Sequence, residues 1–197
     1  MRKMRRRALM ALALGAITTA SLDARWGHFG GGHGGGGVAY QQVATTPAAT
    51  LTQKQKDDLI FMYQEEKLAR DVYITLGRKW GARVFLNIQN SEQRHMDAVR
   101  YLLNKYNLRV PVLSDDIGVF ENEELQALYN QLVAKGSQSL RDALEVGVTI
   151  EETDIADLEE KMEGAPADIK SVYSNLLRGS YNHLRAFKRN LEYLRWD

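Results

Sequence analysis

Apolar residues recur every third or fourth position through four long stretches of this chain, and no proline interrupts any of them. In the first stretch Leu59, Met62, Ala69, Tyr73 and Leu76 keep that spacing, which places them on one side of an α-helix. Thr52 with Gln55 three positions on makes a capping box that opens this helix. Gly81 closes it, so it runs to about Trp80 and spans roughly 42 Å at about 1.5 Å per residue. A second helix is expected from about Val84 to Tyr106, with Phe85, Ile88, Met96, Val99 and Leu103 inward. A third runs from about Ser139 to Glu163 with Leu144, Val148, Ile155, Leu158 and Met162 inward. The fourth opens at Pro166, a favoured early position, and turns Tyr173, Leu176, Leu184, Phe187 and Leu191 inward.

The connections decide how these rods assemble. Only a few residues separate the first helix from the second and the third from the fourth, so each pair must be antiparallel neighbours. Residues 107–121, with Pro111 and Gly118, read as irregular chain. Asn122 then caps a short helix to about Lys135, stopped by Gly136. The expected fold is all-α: two αα-hairpins joined by a long crossover that carries a short extra helix, over residues 51–197. One long crossover is the ferritin-like form of the four-helix bundle.

Ahead of this unit the composition changes twice. Arg2, Lys3, Arg5, Arg6 and Arg7 precede an apolar run from Ala8 to Ala20, which is shorter than the ~20 residues a membrane span needs. Residues 1–24 therefore read as a signal peptide, and the chain as exported and periplasmic, with an uncleaved membrane anchor as the alternative. Arg6 and Arg7 loosely resemble a twin-arginine leader, so both export routes stay open. Residues 25–50 include the glycine- and histidine-rich run 26–37 and read as a flexible linker, with His28 and His33 as loose metal contacts at most.

Charge narrows the partners. Residues 1–24 carry five Lys/Arg and one Asp, and without them the formal net charge falls from +1 to −3. A mildly acidic body without a basic stripe argues against nucleic acid. The absence of cysteine excludes disulfides, thiolate metal sites and thiol catalysis.

Ionisable side chains interrupt the apolar faces at mid-helix: Glu66, Glu92, His95, Glu151 and His183, with Asp154 at the edge of its face. Glu92 and His95 stand three apart, so both can address one ion. Burying an unpaired carboxylate costs several kcal/mol, and a divalent cation can neutralise several at once. Carboxylates with imidazoles on facing helices are the ligand set of iron or manganese pairs in bundle cores. The candidate metal ligands are thus Glu66, Glu92, His95, Glu151, Asp154 and His183. Helical phase leaves Glu152 as an alternative to Glu151 and Asp157 as an alternative to Asp154. Tyr73 reads as a core tyrosine within reach of a ligand carboxylate. Arg70 and Asp71 read as a solvated or helix-pairing face.

The segments EEKLARDVY (65–73), SEQRHM (91–96), IEETDI (150–155) and NLLRGSYNHLRAF (175–187) resemble a ferritin-like family catalogued as a domain of unknown function. FENEELQALYNQL (120–132) extends the resemblance into the crossover. More distantly the chain is similar to the rubrerythrin-like branch of ferritin-like di-iron proteins. On that resemblance Glu66 matches the first-helix ligand and Glu92 with His95 the second-helix pair. Glu151 with Asp154 matches the third-helix carboxylates, and His183 the fourth-helix histidine. Ser180 departs from the pattern, which has Glu there, so one ion or an asymmetric pair is an alternative to two. The resemblance implies iron, or alternatively manganese, reacting with oxygen or peroxide as a di-iron oxidoreductase of ferroxidase or peroxidase type. The expected partners are metal ions, a small oxidant and an external electron donor, with a homodimer compatible. A non-catalytic metal carrier and a structural bundle without metal are the alternatives.

Overall fold

The computed structural model describes residues 48–111 and 114–194, so the expected leader and most of the linker lie outside the described residues. Five helices follow in order: α1 (Gln53–Trp80), α2 (Arg83–Lys105), α3 (Glu123–Gly136), α4 (Leu140–Met162) and α5 (Ala167–Tyr193). Among the described residues there is no strand, and no helix is long and apolar enough to cross a membrane. The expected boundaries hold to within a residue or two.

Their ends follow local chemistry. The capping box is formed, with Thr52 N–H donating to Gln55 Oε1 at 2.9 Å and Gln55 N–H to Thr52 Oγ1 at 3.2 Å. Gly81 closes α1 at φ 64°, a conformation that costs a residue with a Cβ about 1–2 kcal/mol. Asn122 Oδ1 accepts from Glu124 and Leu125 N–H, and Ser139 Oγ from Asp142 N–H, satisfying first-turn donors of α3 and α4.

The four long helices pack along the edges α1–α2, α2–α5, α5–α4 and α4–α1. Contacts at the two ends fix the directions. Gln55 at the start of α1 donates to Gly164 O beyond the end of α4 at 3.0 Å. Tyr106 at the end of α2 donates to Asp168 in the first turn of α5 at 2.7 Å. Neighbours on every edge are therefore antiparallel, and the crossover from α2 to α4 must travel the length of the bundle.

Lys67 and Asp71 hold that crossover. Asp71 is fully buried, not on a solvated face, because Lys67 Nζ lies 2.5 Å from its Oδ2 and Gly118 N–H donates to it at 3.0 Å. Lys67 also reaches the Val119 carbonyl at 3.3 Å and lies 4.3 Å from the centre of the Phe120 ring. Arg70 does pair helices, donating to Gln93 Oε1 of α2 at 2.5 Å.

Two apolar clusters fill the interior. One gathers Val72, Tyr73, Leu76, Phe85, Leu144 and Phe187 with the buried side of α3. The other gathers Leu59, Met62, Val99, Leu102, Leu158 and Leu176 at the opposite end. Between them, on each of the four long helices, the inward positions turn polar.

Candidate metal centre

The six side chains singled out from the sequence all lie in this polar layer, and each is more than nine-tenths buried. Two turns of α1 past Leu59, Glu66 projects inward between Met62 and Ala69. Glu92 and His95 stand on adjacent turns of α2. Glu151 and Asp154 come from α4 and His183 from α5. Both questions of phase resolve on α4. Glu152 is exposed and pairs with Lys188 at 2.9 Å, leaving Glu151 inward. Asp154 faces the centre, and Asp157 is buried one turn further along.

Glu92 sits between the two imidazoles. Its Oε2 is 2.9 Å from His95 Nδ1 and its Oε1 is 2.9 Å from His183 Nδ1. Glu66 Oε2 approaches His95 Nδ1 at 3.3 Å, and Glu151 Oε2 approaches His183 Nδ1 at 3.5 Å. The result is two near-equivalent triads, Glu66–Glu92–His95 and Glu92–Glu151–His183, which share Glu92. In each, the ligating atoms lie within 4.8 Å of one another and could hold a metal ion. The two rings stack, with centroids 5.5 Å apart and planes inclined by 26°.

His95 Nδ1, His183 Nδ1, Glu66 Oε1 and Glu92 Oε1 are all buried without a hydrogen-bond partner, although oppositely charged atoms stand at contact distance. Buried polar groups are paired in the great majority of cases, and orphans call for an ion or water. Ligand atoms grouped within 4.8 Å of one another are what cation coordination requires.

The neighbouring groups hold these ligands in place. Tyr73 OH donates to Glu151 Oε1 at 2.7 Å while its ring packs against Phe187, so it is both core and hydrogen-bond donor. Ser180 Oγ donates to Asp154 Oδ2 at 2.5 Å. Such outer contacts orient a ligand and tune its basicity.

Proton energetics reflect the crowding. Burial pushes Glu66 and Glu151 up to about 7; the imidazole of His95 offsets part of this for Glu66, while the charge on Glu92 adds to it for Glu151. Burial likewise raises Asp154, reinforced by Glu66 and Glu151. Glu92 is the exception, because the flanking His95 and His183 overcome its burial and hold it well below the usual carboxylate range. Burial opposes charge on His183, yet contact with Glu151 and Glu92 prevails and pushes it up to about 10. His95 is raised for the same reason by Glu66 and Glu92.

Residues 55–195 match the family model described as an uncharacterized protein domain, DUF2202. The chain belongs to that family. It is 53% identical over 152 residues to the uncharacterized protein MJ0754 of Methanocaldococcus jannaschii, covering 77% of this chain and 82% of that one. The crystal structure of the same hypothetical protein superposes with a TM-score of 0.73, covering 76% of this chain and 86% of that chain. A DUF305 fragment from Deinococcus radiodurans, 14% identical, superposes with a TM-score of 0.55 over 73% of this chain and 99% of that one, a likeness of fold alone.

Of three buried groups beside the centre of this family member, sequence reasoning missed Glu65, weighed Asp157 only in place of Asp154, and read Tyr173 only as an inward core residue. Glu65 and Asp157 are 5% and 4% exposed, and the hydroxyl of Tyr173 has no partner. Glu65 directly precedes a ligand candidate and Asp157 follows one by a turn, so an acid-plus-neighbour pattern was the available signal. Gly179 was also missed. A Cβ there would stand 2.6 Å from His95 Nε2, so the absence of a side chain is what lets the imidazole lie against α5.

Proposed function

We propose that this is an exported protein that binds two iron ions, or alternatively manganese, between His95 and His183 and reacts the reduced metal with oxygen or peroxide. The observation that carries the reading is Glu92, which offers one oxygen to each of two buried imidazoles whose Nδ1 atoms have no hydrogen-bond partner. Charge supports two ions. With neutral imidazoles, the four carboxylates of Glu66, Glu92, Glu151 and Asp154 carry four negative charges, which two divalent cations cancel. The all-oxygen-and-imidazole donor set, free of sulfur, suits iron and manganese.

Glu66, Glu92 and His95 would hold one ion and Glu92, Glu151 and His183 the other, and Asp154, held by Ser180, would add a further carboxylate to the layer. Tyr73 fixes Glu151 by donating its O–H to Oε1. A reduced pair supplies the two electrons that, with two protons, turn one peroxide into two waters. Repeated turnover draws those electrons from an external donor protein or small reductant. The flanking apolar clusters exclude bulk water, so charge changes at the site are felt strongly. The leader-like residues 1–24 support export and the buried ligand set supports a small oxidant.

The test is anaerobic loading of the full chain with ferrous ion, followed by stoichiometric hydrogen peroxide. About two ferrous ions should oxidise per peroxide, and Glu92→Ala should abolish the protein-dependent rate. Oxidation no faster than in protein-free buffer would refute the redox reading.

A further inference from the structure

The two imidazoles are the part of the centre that comes nearest the surface. Their side chains are 10% and 9% exposed, against 3% or less for Glu66, Glu92 and Glu151. Each Nδ1 is buried, so the exposure belongs to the far side of each ring. Over that side lies Gly179 of α5. A Cβ on it would stand 2.6 Å from His95 Nε2 and 3.9 Å from His183 Cε1, and Gly179 is itself only half-buried. Here, on the seam between α2 and α5, a residue without a side chain is the cover over both rings.

The surface around this thin place is basic. Asn175, Gly179 and Asn182 are spaced by four and three residues, so they line one stripe of α5. Arg178 donates to Asn175 Oδ1 at 2.7 Å and Arg185 donates to Asn182 Oδ1, which draws one guanidinium onto the stripe on either side of Gly179. Both acceptors are neutral amides, so they leave the charges uncancelled. Arg94 adds a third charge from α2. It stands three turns before Lys105, whose ammonium meets Asp168 of α5 at 2.8 Å, so Arg94 lies on the side of α2 that faces α5. All three arginines are exposed. From Ile169 to Leu191, α5 holds Lys170, Arg178, Arg185, Lys188 and Arg189 and no Asp or Glu, although the chain beyond residue 24 carries a net negative charge.

Electron tunnelling slows steeply with distance, so a donor must come close to a ligand of the centre, and the ring edges beneath Gly179 offer that approach. Complementary charge steers and orients such brief encounters. We propose that the Gly179 seam is the docking face of the external electron donor, and that the donor is an acidic one-electron carrier protein whose carboxylates meet Arg94, Arg178 and Arg185. This rests on the redox reading of the centre. Each encounter oxidises the carrier by one electron and reduces the centre by one, and two encounters restore the two electrons that one peroxide consumes. A small, charge-rich contact of this kind lets the spent carrier leave.

The test combines binding with electron flow. Redox-inert paramagnetic hexacyanochromate(III), a trianion, added to the metal-free full chain should broaden the amide resonances of Asn175, Gly179 and Asn182. The triple variant Arg94→Gln, Arg178→Gln, Arg185→Gln should lose that broadening. With the iron-loaded, peroxide-oxidised full chain, the same variant should slow reduction by flavodoxin hydroquinone, an acidic flavoprotein, at least about tenfold, and leave reduction by the methyl viologen cation radical within about twofold. Added salt should slow flavodoxin with the wild type and not with the variant. Broadening that spares this stripe, an unchanged flavodoxin rate, equal slowing of both reductants, or arginine-dependent capture of the face by phosphatidylglycerol vesicles or by a second copy of the chain would overturn the donor face while leaving the centre standing. A full chain whose ferrous ion peroxide does not oxidise would instead remove the redox reading, and the donor face with it.

Discussion

Gly179→Ala is the substitution in which stability and metal binding should part most clearly. In an open helix interior this change stabilises by about 0.5–1 kcal/mol. Here the new Cβ would lie 2.6 Å from His95 Nε2 and 2.9 Å from its Cε1, where ordinary contact begins at 3.4 Å. The imidazole must therefore retreat by about 0.8 Å, and metal–ligand distances tolerate only about 0.2 Å. Its Nδ1 is placed by Glu66 and Glu92, so retreat takes that nitrogen out of one triad and spares the other. Loss of one ligand's geometry should weaken one of two bound ions by about 10–100-fold, or roughly 1.4–2.7 kcal/mol. Calorimetric titration with manganous ion reads this directly, and circular dichroism checks that the helices persist. Two ions bound with wild-type affinity in a folded Gly179→Ala protein would refute the claim that His95 is a ligand held against α5.

Metal affinity should climb steeply with pH between about 6 and 8, because binding must displace protons from His95 and His183 and from the raised Glu66 and Glu151. The two imidazoles alone give about a hundredfold per pH unit, measurable as proton release into weak buffer; a flat profile would contradict the assignment. Without metal the signs reverse. Glu66 and Glu151, raised to about 7 from about 4.5 unfolded, cost stability progressively as pH rises across that window. His183, raised to about 10, adds stability fully present below about 6.5 and lost as pH climbs toward 10, so urea midpoints of metal-free protein should fall on both rises. Saturating metal at about 100 times its dissociation constant should add about 2.7 kcal/mol, a melting-point rise of several degrees that Glu92→Ala should erase. Asp71→Ala should cost about 3–5 kcal/mol in denaturant unfolding by stranding Lys67 in the core, without changing metal stoichiometry in the folded fraction.

The helices were legible because each long stretch buries one stripe, and burial of a stripe imposes a 3.6-residue period on the sequence. The same period exposed the ligand candidates: Glu66, Glu92, His95 and His183 occupy places where apolar residues were due. What the period could not resolve was contact between helices. Glu151 and Glu152 stand about 100° apart round α4, no more than the width of an inward stripe, and their roles separate only when Lys188 takes one and Tyr73 the other. Lys67 and Asp71 have the spacing of an ordinary surface ion pair, and only the returning crossover buries them. Glu65, Asp157 and Tyr173 were illegible as a group because three helices bring them together. Gly179 looks like any helical glycine until His95 is placed against it.

The central claim is that Glu92 lies between two ions. Crystals grown with manganous ion, measured at a wavelength where manganese scatters anomalously, test it most directly. Two core peaks should flank the Glu92 carboxylate, one beside His95 Nδ1 and one beside His183 Nδ1, each about 2.1 Å from its nitrogen. A well-ordered core in which Glu92 bridges the two imidazoles with no anomalous density on either side would contradict the account.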